Sequence, residues 1–542
     1  MVSCVPTASL SGIDALPVTA EVDLTSGIPG LTIVGLPDAS VNEAKERIKA
    51  AIKNAGFEFP LKRVLINLAP ADRRKEGTGF DLPLAVGILL ANGVITPVPA
   101  LTQACFIGEL SLDGDVRPVN GVLAYAVMAK ALGLSALVLP KANAAEASLV
   151  SGIAIYGIEH LKELPVLYLH PASFLQPPPD AEKLTAAQIP PNIDFSHVKG
   201  QAQAKRALEI AAAGGHNVLL AGPPGSGKSM LAKALAGILP PMDFEETLEV
   251  SRIYSVAGLL PPAEVLVRTR PFRAPHHSAS IAGLSGGGSV PKPGEITLAH
   301  RGVLFLDEFV EFPRQVLEVL RQPLEDGQVT ISRAQQALTF PARFMLVAAL
   351  NPCPCGFRGD AQKRCVCAPA QIQRYMAKLS GPLLDRIDLH LEVPRLKDEE
   401  LLRFSSQPQP YANIAEHRDA STEPPQAAET SQVIQARVTR ARERQRKRLL
   451  GTKLVCNAEL SPAELRAYCV PTEAAQTLMA QAAQKLALSA RAFDRILRVA
   501  RTIADLSEAE HIDSPHLAEA LQYRALDKLF GPAVNAHTAS AR

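Results

Sequence analysis

The segment GPPGSGKS, residues 222–229, combines three glycines, a lysine and a hydroxyl at a spacing suited to holding a triphosphate. Glycines let backbone N–H groups turn inward around phosphate oxygens, and a helix beginning at the end of the loop adds positive potential. NVLLA precedes the loop and MLAKALAGIL follows it, so a buried strand, the loop and a helix are expected in succession. That context gives the pattern G-x-x-x-x-G-K-[ST] its meaning. Gly222, Pro223, Pro224, Gly225, Ser226 and Gly227 would form the cradle. Lys228 would reach the β- and γ-phosphates, and Ser229 would ligate Mg²⁺. A second run, GVLFLDE at 302–308, reads as a central strand with an acidic pair at its carboxyl end, where open α/β sheets bind ligands. Asp307 is then a Mg²⁺ ligand, and Glu308 the group that orients and polarises an attacking water. Together the two segments imply ATP hydrolysis.

A third apolar strand, FMLVAAL, ends in Asn351, a neutral amide that can fix the lytic water without adding charge. Arg386 and Arg491 are candidates to stabilise transition-state charge from a neighbouring subunit. Asn351 also opens NPCPCGFRGDAQKRCVCAP, which holds Cys353, Cys355, Cys365 and Cys367, half of the chain's 8 cysteines. Four sulfurs suit a closed tetrahedral zinc site. The C-x-C pairs are tighter than the usual spacing but permit a knuckle clamped at both ends. Four free thiols or one labile disulfide are the alternatives, and the clustering favours structural zinc. Catalytic zinc is not expected, because four cysteines leave no open position. His276 and His277 are adjacent in an extended loop, where neighbouring side chains point to opposite sides, an arrangement poorly suited to sharing one metal. In ARVTRARERQRKRLL, residues 436–450, seven basic residues face one glutamate, Glu443. At helical spacing they surround the helix, as a solvated run or as a surface for phosphates.

The elements that must position these groups fall into blocks. Residues 1–170 mix short apolar runs with helical segments, as in an α/β or α+β unit. The proline-rich stretch 171–193 reads as a linker. Residues 194–394 alternate helices and buried strands, which predicts a parallel sheet. Residues 395–530 are helical beyond a polar loop at 405–430, and 531–542 form a tail. A net charge of +2 leaves nucleic-acid contacts to local basic surfaces. The start of the sequence lacks the basic and apolar regions of a signal peptide, and no apolar run is long enough to span a membrane. Cysteine is sparse outside one loop, which argues against a secreted disulfide scaffold. The expected location is cytoplasmic.

The segments VKGQAQAKRALEIAAAGGHNVLLAGPPGSGKS, FRAPHHSAS, GGGSVPKPGEITLAHRGVLFLDEF, PLEDGQVTISRA and RILRVARTIADL resemble the magnesium-chelatase-like branch of AAA+ ATPases, and more closely the ComM/YifB family. The resemblance runs over nearly the whole chain. It implies an N-terminal Lon-protease-like domain (ribosomal S5 domain 2-like), an AAA+ P-loop core with a parallel sheet, and a C-terminal helical lid. It also implies a homo-hexameric ring with ATP and Mg²⁺ at subunit interfaces. The expected activity is that of a DNA helicase driving branch migration in natural transformation, with single-stranded and branched DNA and recombination proteins as partners. Asn351 corresponds to sensor 1, Arg386 to the trans-acting arginine finger and Arg491 to the sensor 2 arginine. Residues 270–300 correspond to an insert and 327–338 to a hairpin, both directed at a central pore, where Lys292 and Arg333 are candidate DNA contacts and the two histidines take a structural or pore-facing place. KEGTGFDLPLAVGIL and GELSLDGDVRPVNGV carry the Lon-like resemblance, but Gly79 stands at the nucleophile position and Leu123 at the lysine position. Peptide hydrolysis needs both groups, so a platform is expected, with KRVLINLAPADRRKE as its most basic surface. The competing function is a chelatase-type motor subunit that remodels a metal-insertion partner.

Overall fold

A computed structural model describes residues 2–178, 193–260, 265–288, 291–332, 337–396, 429–452, 454–486 and 488–524. Arg333, nearly all of the expected polar loop and the expected tail lie outside the described residues.

The first unit is built on a four-stranded sheet in the order Ser3–Ser11, Asp14–Thr25, Arg63–Ala69, Gly30–Val34. In Asp14–Thr25, Ala15, Val18, Ala20 and Val22 are buried between more exposed neighbours, the alternation of a sheet with one wet face. The last two strands are parallel and are joined by the helix Ala39–Asn54, which begins where Asp38 accepts a hydrogen bond from the Val41 N–H at 2.8 Å. The helix Asp81–Ala91 is buried from Leu82 through Leu89, as its apolar sequence requires, and its first residue, Asp81, is buried on the Arg47 guanidinium at 2.9 Å. A second sheet, all parallel, aligns Ala104–Phe106, Ala136–Pro140 and Ala154–Ile158. The chain stays with this unit through Gln176, whose N–H donates to the Ile155 carbonyl at 2.8 Å. Residues 171–176, placed by sequence in the linker, therefore belong to the first unit.

The core is a five-stranded parallel sheet in the order Phe272–Arg273, Val303–Leu306, Met345–Leu350, Val218–Ala221, Leu389–Glu392. Its three central strands are buried along their full length, which explains their lack of alternation. Phe272 and Arg273 pair with Val303 and Leu304, so the insert expected from residue 270 starts only after this edge strand. Past it lie the short helix Ile281–Ser285 and a minimal hairpin, Gly286–Gly287 with Lys292–Pro293. Gln328–Ser332 and Ala337–Pro341 form the second hairpin. The helix Phe244–Ala257 joins core and first unit: Arg252 binds Asp14 at 2.8 Å, and the Ser255 carbonyl accepts from the Gly121 N–H at 3.1 Å.

Among the described residues five α-helices follow: Ser431–Arg448, Pro462–Tyr468, Glu473–Leu486, Ala490–Leu506 and Ser514–Gln522. Ser461 and Glu464 form a capping box ahead of Pro462, so the Ser-Pro signal marks a true helix start. The basic run on the first of these helices is largely occupied within the protein. Arg437 binds Glu209 at 2.7 Å and Glu429 at 2.6 Å. Arg442 is buried and donates to the Ala212 and Ala213 carbonyls, Arg446 pairs with Asp243 and Glu246, and Arg448 with Asp505. Arg437, Arg442 and Arg446 thereby tie the lid to the core, while Arg440 and Lys447 stay exposed.

The lid is latched at the base of the sheet. Asp388 takes Arg495 at 2.6 Å, the Asn217 N–H at 3.1 Å and the His216 ring at 3.4 Å, and the other face of that ring meets Thr502 at 2.8 Å. Burial pushes the Asp388 carboxyl up, but Arg495, His216 and Arg498 outweigh it and hold the group well below the ordinary carboxylate range. A depressed carboxylate contributes stability above its unfolded pKa of about 3.9 and loses it as pH falls. Acidification below about pH 4 is therefore expected to loosen the lid. Asp388→Ala, which strands Arg495, is expected to destabilise lid packing at neutral pH by about 3 kcal/mol. Thermal melting against pH checks both, and an unchanged melting temperature in the variant would count against the latch.

Candidate active site

The P-loop leaves the carboxyl end of Val218–Ala221 and ends at Gly227, whose φ of 93° only glycine adopts easily, where the helix Lys228–Leu235 starts. Gly222 has no space for a side chain, since a Cβ there would lie 2.2 Å from the Val393 carbonyl oxygen. Pro223 and Pro224 have no N–H to offer a phosphate, so their part in the cradle is packing. The Lys228 ammonium is buried and donates to the Gly222 and Pro223 carbonyls at 2.8 and 2.9 Å and to Asn351 Oδ1 at 3.3 Å. Burial pushes its pKa down, with Asp307 working against the shift. Ser229 Oγ donates to Asp307 Oδ2 at 2.6 Å. Three neighbouring strands of the sheet thus bring Lys228, Ser229, Asp307 and Asn351 together, and a hydroxyl beside a carboxylate is a donor set that fits Mg²⁺.

Glu308 follows Asp307 in a left-handed conformation, φ 50° and ψ 45°, which a residue other than glycine rarely adopts. Its Oε2 lies 3.1 Å from His277 Nδ1. The two histidine rings do not diverge as expected from extended backbone: their centroids are 4.0 Å apart and the planes tilted by 34°. The loop is bent here, with His276 Nδ1 taking the Ser278 N–H and hydroxyl. Sequence reading missed the contact to Glu308, because nothing in FRAPHHSAS says which ring faces the sheet.

Arg386 and Arg491 lie elsewhere. The Arg386 carbonyl accepts from the Asn217 side chain at 3.0 Å, at the amino end of the P-loop strand, while the P-loop leaves its carboxyl end about 13 Å away. Both arginines converge on Glu325: Arg386 makes a close ion pair with it, and Arg491 Nη2 approaches to 3.9 Å. They border a cavity of about 510 Å³ that also takes in Arg495 and Arg498. Lys292 is exposed on its hairpin. In the first unit, Leu123 is fully buried, and a Cβ on Gly79 would lie 3.4 Å from the Ile107 side chain and 3.9 Å from the Tyr125 hydroxyl; as glycine and leucine, neither position offers a nucleophile or a base.

The four loop cysteines gather into one cluster, with every sulfur within 4.8 Å of the others. Cys353 Sγ is 3.4 Å from Cys355 and 3.7 Å from Cys365, and Cys355 is 3.6 Å from Cys365. A disulfide needs about 2.05 Å. Zinc bonds of 2.3 Å at tetrahedral angles place sulfurs about 3.8 Å apart, so the spacing fits a metal. The Cys355 N–H donates to Cys367 Sγ at 3.3 Å, a contact that favours thiolate.

Three family models match: "Magnesium chelatase, subunit ChlI" over residues 194–401, "Subunit ChlI of Mg-chelatase" over 20–143 and "Magnesium chelatase, subunit ChlI C-terminal" over 428–524. The competence protein ComM of Haemophilus influenzae is 44% identical over 523 residues, 96% of each chain. The uncharacterised protein YifB of Salmonella typhimurium is 43% identical over 529 residues, 97% of each chain. The chain belongs to the ComM/YifB family. Its more distant likeness is to the magnesium-chelatase 38 kDa subunit of Rhodobacter capsulatus, 27% identical over 40% of this chain and 60% of that protein. This AAA+-like family implies nucleotide and Mg²⁺ use, and Lys228, Ser229, Asp307 and Asn351 lie together at the carboxyl ends of the sheet. Among the described residues no helix is long and apolar enough to cross a membrane.

Lys228→Ala is expected to weaken binding of a fluorescent ATP analogue by tenfold or more, about 1.4 kcal/mol. Asn351→Ala, which removes one neutral partner, is expected to leave binding within about threefold while slowing hydrolysis by about a hundredfold. Equilibrium titration beside turnover assays separates the two.

Proposed function

We propose that the chain is an ATP-driven ring motor, a homo-hexamer that moves branched DNA, as in branch migration during integration of transforming DNA. The observation that carries this reading over a chelatase-type motor subunit is coverage. The competence protein matches 96% of the chain, the chelatase subunit only 40%. In this reading Asp307 and Ser229 hold Mg²⁺, Glu308 polarises the attacking water and Asn351 orients it. His277 positions Glu308 through its Oε2 contact. Arg386 and Arg491 serve the triphosphate of the adjacent copy, which is why they lie at the end of the sheet opposite their own P-loop. Lys292 and, outside the described residues, Arg333 are proposed to touch the DNA backbone from the two hairpins. Backbone contacts carry little sequence information, so low sequence specificity follows. The first unit, of Lon-like resemblance without Gly79 or Leu123 offering peptidase chemistry, acts as a platform, and the four cysteines hold structural zinc.

ATP hydrolysis is expected to rise with single-stranded and branched DNA and to vanish in Lys228→Ala. Arg386→Ala should be equally inactive alone. Mixing the two inactive proteins is expected to restore part of the activity, since some interfaces then pair an intact lysine with an intact arginine. Absence of DNA stimulation and of strand exchange on a four-way junction would count against the motor; absence of recovery on mixing would count against the shared site.

A further inference from the structure

The cysteine loop begins two residues after Asn351 and turns at once. The Gly356 N–H donates to the Cys353 carbonyl at 2.9 Å, and Gly356 has a φ of +84°. This turn brings Gly356 against the P-loop. A Cβ on Gly356 would stand 2.5 Å from Pro224 Cδ and 2.8 Å from Cγ, closer than real Cβ contacts come, and 3.9 Å from Asn351 Cγ. The loop that cradles the phosphates is therefore walled on both sides. The Val393 carbonyl presses on Gly222, and the Cys353–Gly356 turn presses on Pro224.

What holds that second wall is the sulfur cluster. Cys353 is fully buried and belongs to both the turn and the cluster. Cys365 and Cys367 return from the far side of a loop that has no helix or strand between Leu350 and Pro369. The local bonds within it are short-range, such as Asp360 with the N–H groups of Gln362 and Lys363 at 2.7 and 2.9 Å. A metal bound by four thiolates would be the cross-link that ties the two ends together.

We propose that metal occupancy of the Cys353–Cys355–Cys365–Cys367 site fixes the P-loop through the Gly356–Pro224 contact, so that nucleotide affinity depends on zinc. This rests on the reading of the cluster as a zinc site and adds a coupling to the phosphate cradle. Without metal the turn is free to move away from Pro224, and the N–H groups of the loop lose their preset aim at the phosphates. Metal bound at the cluster touches no nucleotide; its effect passes through protein alone.

The test uses the full chain in excess Mg²⁺, with zinc measured by elemental analysis and affinity by titration of a fluorescent ADP analogue. A zinc-selective chelator is expected to remove one zinc per chain and weaken nucleotide binding by roughly tenfold, the scale of a misaimed polar site. Added zinc should restore both. Cys365→Ser with Cys367→Ser should reproduce the depleted state. Gly356→Ala should keep its zinc, because it alters no ligand, yet bind nucleotide several-fold more weakly. Zinc present but affinity unchanged on its removal overturns the coupling and leaves the zinc reading standing. Protein that holds no zinc when purified and takes up none when it is added overturns both. Tight nucleotide binding by zinc-replete Gly356→Ala overturns the Pro224 contact as the route.

Discussion

A lysine ammonium withdrawn from water has to be surrounded by oxygens, and the arrangement of the core follows from meeting that demand for Lys228. Two of its three oxygens are carbonyls of its own loop; the third belongs to Asn351, at the end of the adjacent strand. That geometry exists only if the P-loop strand and the strand ending before Asn351 are parallel neighbours, as they are. The strand carrying Asp307 lies one place further out, within reach of Ser229. Strand order thus converts three separate apolar runs into one polar cluster. With nucleotide bound, the same ammonium would exchange carbonyls for phosphate oxygens. Its pKa is lowered because burial disfavours the charged form more than Asp307 favours it.

The sheet has a division of labour between its ends. Carboxyl ends carry the lysine, hydroxyl and carboxylates. Amino ends carry arginines, tied to carboxylates and to the lid: Arg386 and Arg491 to Glu325, Arg495 to Asp388. A lid movement would reach both arginines through Ala490–Leu506, the helix that holds Arg491, Arg495 and Thr502. The first unit is coupled to the same core by Phe244–Ala257, whose Glu246 and Glu249 anchor Arg270 and Arg301 near the start of the acidic strand.

Several parts of this arrangement were legible in the chain alone. GPPGSGKS, GVLFLDE and FMLVAAL announced their strands because buried parallel strands are continuous apolar runs, and the residues closing each run fall where ligands bind. The cysteine pairs announced a common cluster, since four thiols in one short loop have little room to disperse. Other readings failed for physical reasons. The basic run at 437–448 looked like a solvated surface, but charge composition does not disclose the acidic partners, Glu209, Asp243, Glu246 and Asp505, that distant segments supply. His276 and His277 were assigned opposite directions from extended geometry, and a bend with its own hydrogen bonds brought the two rings, tilted by 34°, within 4.0 Å of each other instead.

By itself the sequence determined which side chains could do chemistry and which strands would carry them, because residue type and local periodicity are properties of short segments. Only the tertiary structure decided what each group faces. It placed His277 on Glu308, gathered Arg386 and Arg491 on Glu325, and set Gly356 against Pro224, more than a hundred residues away in the chain. Such contacts depend on how separate elements pack, and no local pattern of residue types encodes a distance across the fold.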